Sequence, residues 1–233
     1  MLEEQYARLN SLIGERKLKK LQNSKVIVFG VGGVGGYVVE VLARSGIGRI
    51  DVVDNDVVCL SNINRQIIAL HSTVGMYKVD VVEQRIHDIN PNCEVNKFKM
   101  FYLKDNADEI DLSVYDYVID CIDTVSAKIE IIRRCKELNV PVLCSMGTAN
   151  KMNPMAFKIV DISKTQNDPL ARVLRKKLRK LDICSVDVLF SDELPVKVSE
   201  LHDTNTMVAS NAYVPAAAGI LIGGEVVNRL IAL

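Results

Sequence analysis

Tryptophan is absent from the 233 residues, aromatic side chains make up only 5% of them, and there are three histidines. A surface that recognises bases by stacking needs more rings than this. His71, His87 and His202 show no metal-ligand spacing. Formal net charge is zero, so a nucleic-acid partner would have to be held by a local basic patch, not by the field of the whole molecule. None of the six cysteines (Cys59, Cys93, Cys121, Cys135, Cys144 and Cys184) forms a CxxC pair. That argues against a four-thiolate zinc site and a disulfide scaffold, and reads as reduced thiols in the cytoplasm. The opening "MLEEQYARLN" lacks the apolar stretch of a signal peptide. The apolar run "YVPAAAGILIGG" lies between Asn211 and Glu225, short of the roughly 18 residues a membrane span requires, so no membrane partner is expected.

What is present is an alternation of strand and helix patterns. Residues 3–21 read as one polar amphipathic helix. "KVIVFG" (25–30) is a buried strand, "GGYVVEVLARSG" a helix stopped by Gly46, and "RIDVVD" (49–54) the next strand. "KVDVVEQRIHDINP" (78–91) is a helix closed by Asn-Pro, and "CEVNKF" and "YDYVIDCID" (115–123) read as further strands. Helix "AKIEIIRRCKEL" and strand "VPVLCSM" follow. The pattern predicts an α/β fold, a Rossmann-like and mostly parallel sheet with helices on both faces. After Thr148 "MAFKIVDIS" and "VDVLFS" predict antiparallel extension of that sheet, and "VPAAAGILIGGEVVNRLIAL" a closing helix with Pro215 in its first turn.

"GVGGVGG" (30–36) holds GxGxxG as Gly30, Gly32 and Gly35 between a strand and a helix. Such a loop turns tightly, lets a phosphate approach the backbone and aims a helix N-terminus at it. Asp54 closes the next strand, where an acid accepts from ribose hydroxyls. An NAD-binding dehydrogenase or sensor satisfies this much as well as an ATP enzyme. Arg65, and Lys78 at a helix start, supply cations for a triphosphate that hydride transfer does not need. Asp120 and Asp123 end a strand at the sheet edge where open α/β folds bind ligands, and a carboxylate there can hold Mg²⁺ against phosphate oxygens. Read singly, Arg65 and Lys78 are surface charges and Asp123 a helix cap.

The ordered set "GVGGVGG", "DNDVVCLSNINRQ" (54–66), "GMYKVDVVEQRIHDINP" and "DCID" resembles the ATP-dependent activating enzymes of the ThiF and MoeB type, relatives of ubiquitin-activating enzyme. The resemblance implies that Gly30, Gly32, Gly33 and Gly35 cradle the nucleotide and that Asp54 binds ribose. It implies that Asn62, Arg65 and Lys78 contact the triphosphate beside Gln66 and Asp56, and that Asp123 coordinates Mg²⁺. It also implies that Arg8, in "YARL", reaches the ATP site of a second subunit in a homodimer. Such enzymes adenylate a carboxylate and release pyrophosphate.

For the carboxylate, "DISKTQNDPLARVLRKKLRK" (161–180) with "VDVLFSDE" (186–193) resembles the tRNA threonylcarbamoyladenosine dehydratase group, although the chain reads as short for it. The implied reaction is adenylation of the threonyl carboxylate on a tRNA adenosine beside the anticodon, then ring closure with loss of AMP. Asp168 and Pro169 would start a helix burying Leu170, Val173, Leu174, Leu178 and Leu181. Arg172, Arg175, Lys176, Arg179 and Lys180 would face RNA phosphates. A solvated basic face is the bland alternative. The whole chain is expected to be one adenylating domain, 1–147 binding nucleotide and 148–233 serving substrate and dimerisation. A ubiquitin-like or sulfur-carrier protein ending in Gly-Gly is the rival substrate, and a sulfur-transfer protein a further partner to consider.

Overall fold

The computed structural model describes residues 2–196 and 209–232. His202, read from sequence as a loop residue with no assigned role, lies outside them. The N-terminal segment is not one helix. It forms α1 (Leu2–Gln5), α2 (Ala7–Ile13) and α3 (Glu15–Asn23), and the break between α2 and α3 falls at Gly14, whose φ of +85° is not helical. In α2, Leu9 and Ile13 pack on the core while Leu12 is 82% exposed. In α3, Leu18 and Leu21 are buried and the lysines point outward.

From there the chain alternates. The next elements are β1 (Lys25–Phe29), α4 (Gly35–Arg44), β2 (Arg49–Val53), α5 (Lys78–Ile89), β3 (Lys97–Phe98), β4 (Tyr117–Asp120), α6 (Val125–Leu138) and β5 (Val142–Ser145). The second half adds β6 (Phe157–Asp161), α7 (Pro169–Arg179), β7 (Asp187–Ser191) and α8 (Val214–Ala232). Seven strands form one sheet in the order β3-β2-β1-β4-β5-β7-β6. All neighbours run parallel except β6 on β7. The expected antiparallel extension is therefore the single edge strand β6, and β7 runs with the others. "CEVNKF" contributes only two ladder residues and an isolated bridge from Glu94 to Arg49.

Alternate β1 residues serve opposite faces, as the period of a strand requires. Val26 and Val28 pack with α4, α5 and α8, whereas Ile27 and Phe29 pack with α6 and α7. Both helical layers are thus continuous with the strand that leads into the glycine loop.

Helix α8 runs through Glu225 to 19 residues and is long and apolar enough to span a membrane, contrary to the shorter apolar run seen in sequence. Just over half of its apolar window, 56%, is buried within the protein. Glu225 is accommodated because Arg229, one turn on, binds it and also reaches Asp187 and the Tyr117 hydroxyl. Gly219 and Gly223, the G-x-x-x-G pair, face Val34, Tyr37, Val38 and Val41 of the α4 segment. They serve internal helix packing, and they seat Pro215 against Gly33 of the glycine loop.

A methyl at Gly219 would run into the Val34 carbonyl and stand 2.7 Å from Tyr37 Cβ. Although alanine is the better helix former by about 1 kcal/mol, backbone cannot yield as a side chain does. Gly219→Ala is expected to lower stability by about 1–3 kcal/mol in urea unfolding. A second prediction concerns the thiols. Burial pushes Cys93, Cys121 and Cys135 up to about 12 and Cys144 well above its usual value, while Cys59 and Cys184 are exposed. Because the thiolate is the nucleophile, iodoacetamide at neutral pH should alkylate Cys59 and Cys184 in the folded protein. Mass spectrometry should find the buried Cys93, Cys135 and Cys144 modified only after unfolding.

Candidate active site

The C-terminal ends of β1, β2, β4 and β5 open into one cleft of about 690 Å³. Its floor begins at the glycine loop. The Gly30 N–H donates to Val53 O, and the residue takes φ +80°. A side chain there would stand 3.0 Å from the Cys121 backbone, and one on Gly35 would collide with the Gly30 carbonyl. Two of the glycines are thus required by backbone approach. At Gly32 a Cβ would meet nothing nearer than 3.6 Å, so that position is open toward the cleft. Among the described residues, the amides of Gly32, Gly33, Val34 and Gly35 donate to no protein acceptor. Four free donors at the start of α4 make an anion cradle.

Asp54 joins this loop to the next. Its carboxylate accepts from Val31 N–H at 2.9 Å on one oxygen and from Asp56 N–H at 2.9 Å on the other. Asp56 in turn binds Lys78 twice, accepting Nζ at 2.7 Å on its carboxylate and the backbone N–H at 3.0 Å on its carbonyl. The Lys78 side chain is 7% exposed and that of Asp56 59%. The lysine is therefore sunk at the head of α5 and aimed at the cleft by an exposed acid that an incoming anion can displace.

Residues 60–66 form the third side. Asn62 is buried, and its Oδ1 accepts from Cys59 N–H, which leaves its amide nitrogen for a ligand. Arg65 lays its stem beside Gly33 and donates from Nη1 to Ser61 O and Asn64 Oδ1, each at 2.9 Å. Gln66 is buried and lines the cleft, and its Oε1 has no partner among the described residues. An unpartnered buried amide oxygen is costly, and a site that a ligand completes accounts for it.

Asp123 lines the opposite wall. Its carboxylate is exposed and, among the described residues, meets only the Thr124 hydroxyl at 3.4 Å, and the first residue before α6 is Thr124, so Asp123 is not the helix cap. Asp120, its sequence alternative as a metal ligand, is ruled out by its surroundings. It is fully buried, with Oδ1 accepting from Ile122 N–H and Oδ2 bound to Lys128 Nζ at 2.9 Å. Lys128 is equally buried and also donates to Ser145 O at 2.8 Å. Burial pulls the Lys128 ammonium down, but the neighbouring Asp120 carboxylate outweighs it and the group stays charged. Among the described residues no cluster of three or more metal-ligating side chains occurs. A cation here would be held by Asp123 and by ligand oxygens, an arrangement that suits Mg²⁺.

Of the residues expected from sequence, Gly30, Gly32, Gly33, Asp54, Asp56, Asn62, Arg65, Gln66, Lys78 and Asp123 all line this cleft, with Gly35 packed just beneath. Arg8 does not: it is exposed on α2 and is no part of this cleft. The basic residues of α7 also lie elsewhere. Asp168 accepts from Ala171 N–H as the cap, and Ala171, Leu174 and Leu178 form the buried stripe. Val173 and Leu181, expected inside, are 42% and 45% exposed. Arg172, Lys176, Arg179 and Lys180 are exposed. Arg175 instead turns inward, donating from Nη1 to the carbonyls of Ile162 and Thr165.

Sequence reading missed the wall formed by Ser145–Ala149, the apolar residues Phe101 and Tyr102, and Lys128. The first was accessible from the rule that ligands sit at the carboxyl ends of parallel strands. The others carry no local pattern.

The match to the ThiF family extends over residues 3–232. A tRNA threonylcarbamoyladenosine dehydratase of Bacillus subtilis is 46% identical, the match covering 97% of this chain and 94% of that protein. Crystal structures of the Escherichia coli tRNA N6-threonylcarbamoyladenosine dehydratase, TcdA, superimpose at 32% identity, covering 99% of this chain and 95% of theirs. The TM-score is 0.92 for the complex with AMP and 0.89 for that with ATP. The architecture, the cleft and these likenesses agree: the chain belongs to the ThiF family.

Proposed function

We propose that this chain is an ATP-dependent tRNA threonylcarbamoyladenosine dehydratase of the cytoplasm, adenylating the threonyl carboxylate and releasing AMP as the ring closes. The observation that carries the reading is the single cleft in which a free-amide glycine loop, Asp54, Arg65, Lys78 and Asp123 converge. Its 46% identity to a dehydratase over nearly the whole chain supports the choice of carboxylate.

In this reading the amides of residues 32–35 and the α4 N-terminus receive phosphate oxygens. Asp54, fixed by two amides, accepts from ribose hydroxyls. Lys78 exchanges Asp56 for a phosphate, Arg65 turns from Ser61 to the same group, and Asn62 and Gln66 complete the enclosure. Mg²⁺ bound through Asp123 would neutralise charge gathering on the phosphates. The acceptor carboxylate enters along the Ser145–Ala149 wall, and its attack forms a mixed anhydride while pyrophosphate leaves. Closure of the threonylcarbamoyl group onto its own acyl carbon, with loss of a proton from the carbamoyl, then expels AMP, with net loss of one water.

Residues 1–147 form the nucleotide-binding half of one domain and 148–233 the substrate and dimer half. Arg8, outside its own cleft, belongs to the partner's site in a homodimer, and the exposed Leu12 one turn on gives that helix a surface to bury. The exposed cations of α7 supply RNA phosphate contacts.

The test is nucleoside mass spectrometry of threonylcarbamoyl-modified tRNA incubated with protein, ATP and Mg²⁺. Loss of one water with release of AMP and pyrophosphate is expected. An unchanged mass, with pyrophosphate exchange stimulated by a Gly-Gly-tailed protein, would overturn the choice of substrate. Lys78→Ala should remove turnover, about 10²-fold or more for a lost charge clamp at the transferring group, with urea unfolding little changed. Replacing Arg172, Lys176 and Arg179 by Gln should flatten the slope of log affinity for tRNA against log salt by about 2–3. Arg175→Gln should instead loosen the 162–165 turn and lower thermal stability.

A further inference from the structure

Lys128 has no role in the chemistry above, yet it is one of the largest fully buried side chains in the protein. Its salt bridge with Asp120 is completely enclosed on both sides. Such a pair is rarely favourable relative to apolar side chains of the same size, because two charges have left water. Its place in the fold is therefore informative. It lies not in the middle of either apolar layer but under the cleft, where the ends of two strands meet the first turn of α6.

Three bonds define what it holds. Lys128 Nζ binds Asp120, the last residue of β4, and the carbonyl of Ser145, the last residue of β5. The other oxygen of Asp120 accepts from Ile122 N–H. That bond closes the turn Cys121–Asp123, on which Asp123 is the residue presented to the cleft. The lysine therefore reaches both walls, the acid turn on one side and Ser145 on the other, without lining the cleft itself.

We propose that Lys128 is a positioning residue that fixes the Asp123 turn and the Ser145 strand end, and so sets the metal-bound phosphate against the incoming carboxylate. The inference rests on the adenylation reading for its consequence but on these bonds for its geometry. An Asp120→Asn/Lys128→Met double variant keeps an acceptor for Ile122 N–H and removes both charges together, leaving no unpaired ion.

Two measurements are made on the full chain: Mn²⁺ binding by electron paramagnetic resonance with ATP present, and kcat for AMP release with modified tRNA. The folded double variant is expected to bind ATP without metal within about twofold of the parent. Its Mn²⁺ affinity and kcat should each fall about 10–100-fold, as is usual when the group orienting a metal ligand is lost. KM for tRNA should stay near the parent value. Unchanged Mn²⁺ affinity and kcat in a folded variant would overturn the proposal. So would failure of the double variant to fold, since the pair would then be a stability element. A parent that binds Mn²⁺ and ATP but leaves modified tRNA intact would sink the dehydratase reading alone, with metal affinity still deciding the role of Lys128.

Discussion

The site is organised around one carboxylate. Asp54 ends β2 and accepts an amide proton from each of two loops, Val31 of the glycine loop and Asp56 of the loop that leads to Arg65. Asp56 then positions Lys78 at the head of α5. Loops that differ in sequence and leave different strands are thereby held in register by charge-assisted hydrogen bonds, the stronger kind. Without Asp54 the backbone donors of the glycine loop and the cations opposite them would have no fixed separation. The sheet supplies the platform, since parallel β1 and β2 end level with each other, Phe29 beside Val53.

Much of this was legible from the residues alone, because the signals are local. A β-branched run ending in glycine gives β1, and an Asp-Pro pair ahead of a leucine-spaced segment gives α7 with its observed cap. The cleft residues were recoverable because strand ends are readable and ligands gather there. What escaped depends on neighbours distant in sequence. Lys128 carries no local signal of its own, and only Asp120, eight residues back, and Ser145, 17 residues on, reveal why it is buried. Arg175 looked like one more cation in a basic stripe until the 162–165 turn claimed it. Gly14 broke a helix that amphipathic spacing carried straight through, because spacing does not register a positive φ.

Charge is distributed with the same economy. A chain of zero net charge places its cations in two distinct settings, enclosed ones such as Lys78 at the cleft and exposed ones along α7. Enclosed cations interact strongly at short range and are little affected by salt, whereas exposed ones act through the screened field. Ionic strength should therefore act on the two settings very differently.

Asp168 spans the interval between those settings. Its one oxygen caps α7 at Ala171 and the other accepts from Gly147 N–H on the cleft wall. A helix of 11 residues is about 16 Å long, and its basic far end is thus tied at a set reach from the point where a carboxylate would react. The buried acid turns helix and wall into a ruler. On the proposed reading, an RNA whose backbone engaged α7 would be measured from that grip, and only a modified base at the matching span would reach the cleft.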